Sequence, residues 1–343
     1  MTYFTGIDVS LRSVSICIVD ESGTVRLEAK VAAEVEVIVA ALRRFSEEIR
    51  QVGFEAGTLT QYLTYGLREA GFDVICLEAR QVAATLAAMR NKTDRNDARG
   101  LAQILRTGWY RTVHVKSIES HQERALLASR KAILTKCVDL ENEMRGLLKV
   151  FGVRLPGHLP HGSFDLVVRE RLSTLPQLAK TLLPLLEACT MLYATYLKLD
   201  NAVKTIVRHD RLCQRFMTVP GVGPVTALTF KSAVDDPTRF RSSRLVAAHF
   251  GLTPRRYQSG ETDNPGRISK AGDRDVRQAL YTAAHAMVTR SYAWSTLKAW
   301  GVRLAKTRGL RRAVTAVARK LAVILHRMWV QGTTFRLTQE AAA

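Results

Sequence analysis

Residues 3–31 read YFTGIDVSLRSVSICIVDESGTVRLEAKV, and this stretch decides the fold of the first third of the chain. Tyr3 to Val9 is a short apolar run of β character. From Ser13 to Val19, Val14, Ile16 and Ile18 alternate with Ser13, Ser15 and Cys17, the period of a half-buried strand. Glu21-Ser22-Gly23 is turn chemistry, and a third strand follows from Thr24 to Val31. Three strands joined by tight turns form an antiparallel meander. Downstream, Val35, Ile38, Val39, Leu42, Phe45 and Ile49 recur at helical spacing and predict a helix over Glu34 to Gln51. A short strand over Val52 to Ala56, a helix over Leu59 to Ala70, a strand over Phe72 to Leu77 and a helix over Arg80 to Met89 complete the segment. A three-stranded meander followed by helix, strand, helix, strand, helix is the element order of an RNase H-like α/β domain, assigned to residues 1–112.

Beyond it the strand signals stop. Residues 113–212 carry two apolar stripes, one running from Leu126 to Leu148 and one from Leu175 to Ile206. Pro156, Gly157, Pro160 and Gly162 lie between them in a predicted loop. Two long helices joined by a loop predict an antiparallel coiled-coil hairpin, with a bundle or a dimer interface equally compatible with the imperfect heptads. Residues 213–343 read as mainly α, interrupted by a Gly-rich polar loop over Tyr257 to Gly272.

The chain has 343 residues, 51 Lys+Arg and 31 Asp+Glu, a net charge of +20. With 47% apolar residues it buries a core and is not disordered as a whole. Its charge points to a polyanion partner, nucleic acid above all. The 64 residues from Val276 to Gln339 contain 12 Lys or Arg and no Asp or Glu, a single-sign field suited to phosphates. Tyr281, Tyr292, Trp294, Trp300 and Trp329 are interleaved with these cations and are read as core residues in preference to base-stacking platforms. No apolar run is long enough to span a membrane, and no secretory leader is evident. Cys17, Cys76, Cys137, Cys189 and Cys213 are too scattered for a zinc site and are expected to be reduced, buried thiols of a cytoplasmic, nucleoid-associated protein.

Four acids stand at element ends. Asp8 closes the first strand and Glu55 the fourth, and in an RNase H-like sheet these strands are neighbours. Asp94 and Asp97, at i and i+3, share one face of a helix running to Leu105. Such a set is suited to a hard divalent cation, Mg²⁺, whose ligands are oxygens. The simpler reading makes Asp94 an N-cap, Asp97 part of an acidic first turn and Asp8 a capping or turn residue. In the C-terminal segment, Pro220-Gly221-Val222-Gly223 enters an apolar helix as a helix-hairpin-helix element does, either holding a DNA phosphate on backbone amides or serving as a plain helix turn. Ser259 and Ser269 lie among Arg255, Arg256, Arg267 and Lys270. They are candidate phosphate-binding hydroxyls, or a nucleophile with cations to stabilise transition-state charge.

In their joint order these motifs resemble the DEDD-type insertion-sequence transposases, RuvC-like serine recombinases guided by a bridge RNA. The resemblance rests on Gly-Ile-Asp-Val-Ser at 6–10, Phe-Glu-Ala-Gly at 54–57, Lys-x-Asp-x-x-Asp-Ala at 92–98, Pro-Gly-Val-Gly at 220–223, Gly-Leu-x-Pro-Arg at 251–255, Ser-Gly at 259–260 and Gly-Arg-Ile-Ser-Lys-x-Gly-Asp at 266–273. It implies that Asp8, Glu55, Asp94 and Asp97 bind Mg²⁺ and that Ser259 is the nucleophile, with Ser269 the fallback. Gln258 stands where members often have a first serine. The resemblance further implies a homodimer or homotetramer with active sites formed between subunits, acting on donor and target DNA with a guide RNA. Other readings are a structure-selective nuclease using water, an inactive nucleic-acid-binding relic, and a sugar-kinase-like ATPase in which Gly6 to Asp8 and Asp20 to Gly23 form a phosphate loop.

Overall fold

The computed structural model describes residues 1–87, 91–259 and 262–337, with backbone alone for 256–259 and 262–265. The side chains of Arg256 and Ser259, together with Met89, Gly260 and Gln339, lie outside the described residues. The chain divides into two compact units, Met1–Lys116 and Ser117–Ala343.

In the first unit the strands β1 (Tyr3–Val9), β2 (Ser13–Asp20) and β3 (Val25–Ala32) form the expected meander. Helix α1 (Val35–Leu42) and a single 3₁₀ turn (Arg43–Phe45) lead into β4 (Ile49–Glu55). Then come α2 (Thr60–Glu69), β5 (Val74–Leu77), α3 (Ala79–Leu86) and α4 (Asp94–Thr107). The sheet order is β3-β2-β1-β4-β5, with β1, β4 and β5 parallel. That order and those directions are the RNase H-like topology the element sequence called for.

Two sequence expectations change here. The helix over Glu34 to Gln51 ends at Leu42, because Ile49 and Gln51 pair with Tyr3 and Phe4 of β1. Ile49 continues the helical spacing, but ladder pairing beside a central strand outweighs it. β2 is also buried on both faces: Val14, Ile16 and Ile18 pack on one side, Cys17 and Val19 on the other. Helices α1 and α2 cover the first face through Ile38, Leu42, Leu63 and Leu67. Helices α3 and α4 cover the second through Val82, Ala98, Leu101 and Leu105.

The second unit holds α5 (Ile118–Val150), α6 (His161–Leu172), α7 (Pro176–His209), α8 (Arg211–Met217), α9 (Pro224–Val234) and α10 (Ser243–His249). A hairpin of β6 (Pro254–Ser259) and β7 (Thr262–Ile268) follows, then α11 (Arg274–Thr289), α12 (Thr296–Arg308) and α13 (Leu310–Gln331). The loop expected over Tyr257 to Gly272 is therefore mostly a two-stranded hairpin. Helix α6, also unanticipated, begins inside the loop drawn between the two stripes. Its Phe164, Val168 and Leu172 close a small core with Met144, Leu148, Leu182 and Leu186.

Helices α5 and α7 lie side by side and antiparallel: Arg130 bonds Asp200, whereas Cys137 lies beside Cys189. One core continues from Val203 and Val207 of α7 through α8, α9 and α11 to α13, so the helical middle and the C-terminal segment cluster as one unit. Lys231 of α9 pins this junction, with Glu119, Glu123 and Asp210 at 3.0, 2.7 and 2.8 Å. All five cysteines are free and buried. Helix α7 is long and apolar enough to cross a membrane by composition alone, with an 18-residue window of mean hydropathy 1.2. Its apolar residues are interrupted by Lys180, Glu187, Lys198 and Asp200, so no uninterrupted apolar run of that length occurs in it.

Candidate active site and nucleic-acid interface

The pleat of the sheet builds the acidic site. Side chains alternate between faces along a strand. On β1, Ile7 joins the α1/α2 side, which sends Gly6 and Asp8 to the α4 side. On β4, Phe54 does the same for Gly53 and Glu55. The register Ile7↔Phe54 then sets Asp8 and Glu55 next to each other at the C-terminal ends of parallel neighbours. Both line a pocket of about 170 Å³, whose floor is shaped by Gly57 donating its N–H to Thr60 Oγ1 at 2.7 Å.

Helix α4 supplies the other two acids. Thr93 is its N-cap, its hydroxyl accepting from the Asn96 N–H, so the capping role considered for Asp94 belongs to Thr93. Asp94 and Asp97 occupy the first turn. The helix seats on β1 where Gly6 has no side chain: a Cβ there would lie 2.3 Å from Ala98 O and Ala102 N. The glycine thus sets the distance between the α4 acids and Asp8.

The electrostatics record this convergence. The Asp8 carboxyl is pushed above the ordinary carboxylate range, first by burial, then by the charges of Asp97, Asp94 and Glu55. The Glu55 carboxyl is raised by partial loss of hydration and by Asp97, with Lys92 opposing. Lys92 opposes the shift at Asp8 as well. Asp94 behaves differently. It bonds Lys30 of β3 at 2.9 Å, which lowers its pKa, and it lines a separate pocket with Glu28, Lys30 and Arg95. Asp8 therefore feels the charges of Asp97, Asp94 and Glu55, while Asp94 also has its own counter-ion in Lys30. Among the described residues no three His, Cys, Asp or Glu side chains stand close enough to share an ion. The donor chemistry nevertheless fits a hard divalent cation: oxygens only, clustered and mutually repelling, with one face partly dry. Lys30 and Lys92 went unassigned in the sequence, because a lysine's partner across a sheet has no local signature.

In the second unit, Gly221 has φ +87°, and a Cβ there would meet Ala283 O of α11 at 2.4 Å, so this glycine serves packing. Gly223 is the N-cap of α9 with open space beside it, leaving the first-turn amides approachable. At the hairpin, Ser259 pairs with Thr262 at the tip. Arg255, Arg267, Ser269 and Lys270 gather at the base, where Arg255 bonds Ser269 O at 3.4 Å. Along β6, Ser259 lies four residues from Arg255, about 13 Å of strand.

The acid-free stretch forms α12, α13 and most of α11. Arg303, Lys306, Arg308, Arg311, Arg312 and Arg319 are exposed, and none has an ion-pair partner among the described residues. Arg277 is the exception in role: its guanidinium caps the Phe250, Ala271, Gly272 and Asp273 carbonyls. Trp300 and Trp329 pack on the core as expected, but Tyr281, Tyr292 and Trp294 stand exposed, which corrects their assignment to it.

Comparison with known proteins gives matches across most of the chain. Residues 5–152 match a family model of the DEDD IS110 type described as a transposase, and residues 213–300 match the transposase IS116/IS110/IS902 family. The transposase for insertion sequence element IS1111A of Coxiella burnetii is 28% identical, the alignment covering 96% of this chain and 90% of that protein. The transposase for insertion sequence element IS1328 of Yersinia enterocolitica is 30% identical over 71% of this chain and 74% of that protein. Among solved structures, T. thermophilus RuvC in complex with Holliday junction substrate aligns with 33% of this chain and all of its own, at 14% identity and a TM-score of 0.27.

Proposed function

The chain belongs to the IS110-type DEDD family of insertion-sequence transposases, enzymes that act on DNA, and from that premise we propose that it cuts and rejoins donor and target strands through a covalent phosphoserine link. The observation that carries this reading is the register Ile7↔Phe54, which sets Asp8 beside Glu55 on the face covered by α4 and Asp97.

Asp8, Glu55 and Asp97 are the residues that would hold Mg²⁺, with Asp94 released from Lys30 as a fourth oxygen donor. When bound, that ion supplies Lewis-acid stabilisation of charge on the reacting phosphodiester. The chain's own residues do the rest. Lys92 lies where its ammonium offsets part of the carboxylate repulsion. Ser259, the last residue of β6, would supply the hydroxyl that attacks a phosphodiester of the DNA complex. The bond formed is Ser259 Oγ–P, and the bond broken is the P–O of the strand. The strand oxygen leaves as a free hydroxyl carrying the proton the serine gives up. One ester replaces another, so strands exchange without a nucleoside triphosphate. Exposed Arg303, Lys306, Arg311 and Arg312, with the α9 amides beyond Gly223 and the hairpin-base cations, engage backbone phosphates, which read no sequence. Sequence choice then falls to a bridge RNA pairing with DNA, by analogy with other RNA-guided systems. Assembly as a dimer or tetramer is supported by apolar side chains left open on α5–α7, among them Val150, Leu166 and Met191. The place of action is the cytoplasm, at the nucleoid.

The test incubates the full-length protein with Mg²⁺, the transcript encoded beside its gene and DNA carrying the element junction. A denaturing gel then compares wild type with Ser259→Ala. A protein–DNA adduct lost in the variant is the expected result. Cleavage without an adduct in either protein makes the enzyme a metal-dependent nuclease using water. Nucleic-acid binding with no cleavage makes this copy inactive.

A further inference from the structure

Tyr292 and Trp294 are fully and 62% exposed, on the short segment between α11 and α12. Large aromatic side chains normally carry a protein's core, and two of them standing in water two residues apart call for an explanation. The segment is not loose. Its first residue, Ser291, bonds back to Ala286 O, and its hydroxyl accepts the Ala293 N–H at 3.2 Å. Its last, Ser295, is 1% exposed and caps α12 by accepting the Lys298 N–H. Thr296 N–H is held by Leu337 O of the returning C-terminal stretch. Leu297, the second residue of α12, is buried in the core. The backbone beneath the rings is therefore anchored at both ends while the rings point away from it.

The surroundings define the ligand's chemistry. Lys298 Nζ sits 5.4 Å from the Trp294 ring centroid and donates to the Ser291 carbonyl, so a cation held by the backbone lies over a ring that stays largely exposed. Arg290 is exposed at the end of α11, just before the segment. The whole 64-residue stretch has no acid. A protein partner for two bare rings would bring apolar surface, but here a positive field surrounds them. Flat π-faces in a cationic, acid-free setting match one ligand class: an unpaired nucleobase carrying its phosphate.

We propose that Tyr292 and Trp294 form a stacking platform for an unpaired nucleobase, with Arg290 on the adjoining phosphate. The base comes from a DNA strand opened during exchange or from a single-stranded part of the RNA. The inference rests on the nucleic-acid reading above and is independent of the metal and serine chemistry. Every base has a π-face, so the platform tolerates sequence and rejects paired bases, which are already stacked.

The experiment uses full-length protein and fluorescence anisotropy with three probes: oligothymidylate, oligouridylate, and a strand of the same length made wholly of abasic sites. Wild type is compared with the Tyr292→Ala/Trp294→Ala double variant and with Trp294→Phe. Both positions are exposed, so the variants should melt with wild type. The double variant is expected to bind base-bearing strands about 5- to 100-fold more weakly, with no change on the abasic strand and near-wild-type binding by Trp294→Phe. Loss confined to oligothymidylate assigns the base to DNA, loss confined to oligouridylate assigns it to RNA, and loss on both supports a platform for either. Unchanged affinity for both base-bearing strands overturns the platform, as does equal loss on the abasic strand. A wild-type protein that binds none of the probes overturns the platform together with the nucleic-acid reading, whereas equal wild-type binding to abasic and base-bearing strands overturns the platform alone.

Discussion

Replacing Gly6 by alanine is expected to damage catalysis without touching a catalytic group. The added Cβ would lie 2.3 Å from Ala98 O and Ala102 N, short of ordinary van der Waals contact at 3.4 Å by about 1 Å. Both opposing atoms are backbone, so no side chain can swing away. Either β1 or α4 must shift, and α4 carries Asp94 and Asp97. Overpacking of this kind costs about 1–3 kcal/mol, which lowers the melting temperature of a unit this size by about 4–8 °C per kcal/mol. A misplacement near 1 Å at a reacting centre costs roughly a hundredfold in rate. Gly53→Ala is the control. Its nearest contacts would be Leu105 Cδ1 and Cδ2 at 2.7 Å and Cγ at 3.1 Å, side-chain atoms that can yield without a backbone shift. The assay is thermal melting of both variants, followed by divalent-metal-dependent cleavage at a temperature where both are folded. Gly6→Ala should lose far more cleavage than Gly53→Ala. A Gly6→Ala protein that melts and cuts like wild type would refute the claim that the α4–β1 seat sets the acidic site.

The remaining predictions concern single groups. Asp97→Asn should lower divalent-metal affinity and strand cleavage by at least the roughly 10- to 100-fold that losing a ligand's supporting partner costs, while gel-shift affinity for DNA stays near wild type; retained cleavage would remove Asp97 from the site. Lys231→Met strips the counter-ion from Glu123, which is 5% exposed, and should destabilise the second unit by about 3–5 kcal/mol in urea unfolding. Adding Glu123→Leu should recover much of that loss, and a wild-type midpoint for the single variant would contradict the pinning role. Asp20 is held near pKa 2, below its ordinary 3.8, first by the Ser22 hydroxyl and also by Thr24 and Arg26. Its folded pKa is depressed, so the stability it contributes is complete above 3.8 and disappears as pH falls toward about 2. The gap in unfolding midpoint between wild type and Asp20→Asn should therefore be constant near neutrality and close below 3.8; a gap that widens with acid would reverse the sign of this argument.

Much of the first unit was legible because its information is local. The alternation in β2 and the turn at Glu21 to Gly23 follow from pleat geometry, and the order of elements then admits few sheets. Asp8 and Glu55 were readable as strand-end acids for the same reason. What failed were places where partners lie far along the chain. Ile49 obeys two periodicities, and only its pairing with Tyr3 makes it a strand residue. The β6–β7 segment has loop composition, and only cross-strand pairing makes it a hairpin. Helix α6 hid behind Pro and Gly, because its apolar face is meaningful only against α5 and α7.

The same division runs through the site. The amino-acid sequence by itself determined the charge, the acid-free C-terminal stretch and the four acids at element ends, since composition and short-range spacing are properties of the chain alone. Tertiary structure decided which of them act together. Asp94 takes Lys30 from β3, 64 residues away, while both Asp94 and Asp97 act on the charge of Asp8, and Asp97 on that of Glu55. Arg277 becomes a carbonyl cap, while Tyr292 and Trp294 stay in water and Trp300 and Trp329 do not. These outcomes depend on which surfaces the packed helices cover. Burial, and with it desolvation and the range of a charge, exists only once the chain is folded.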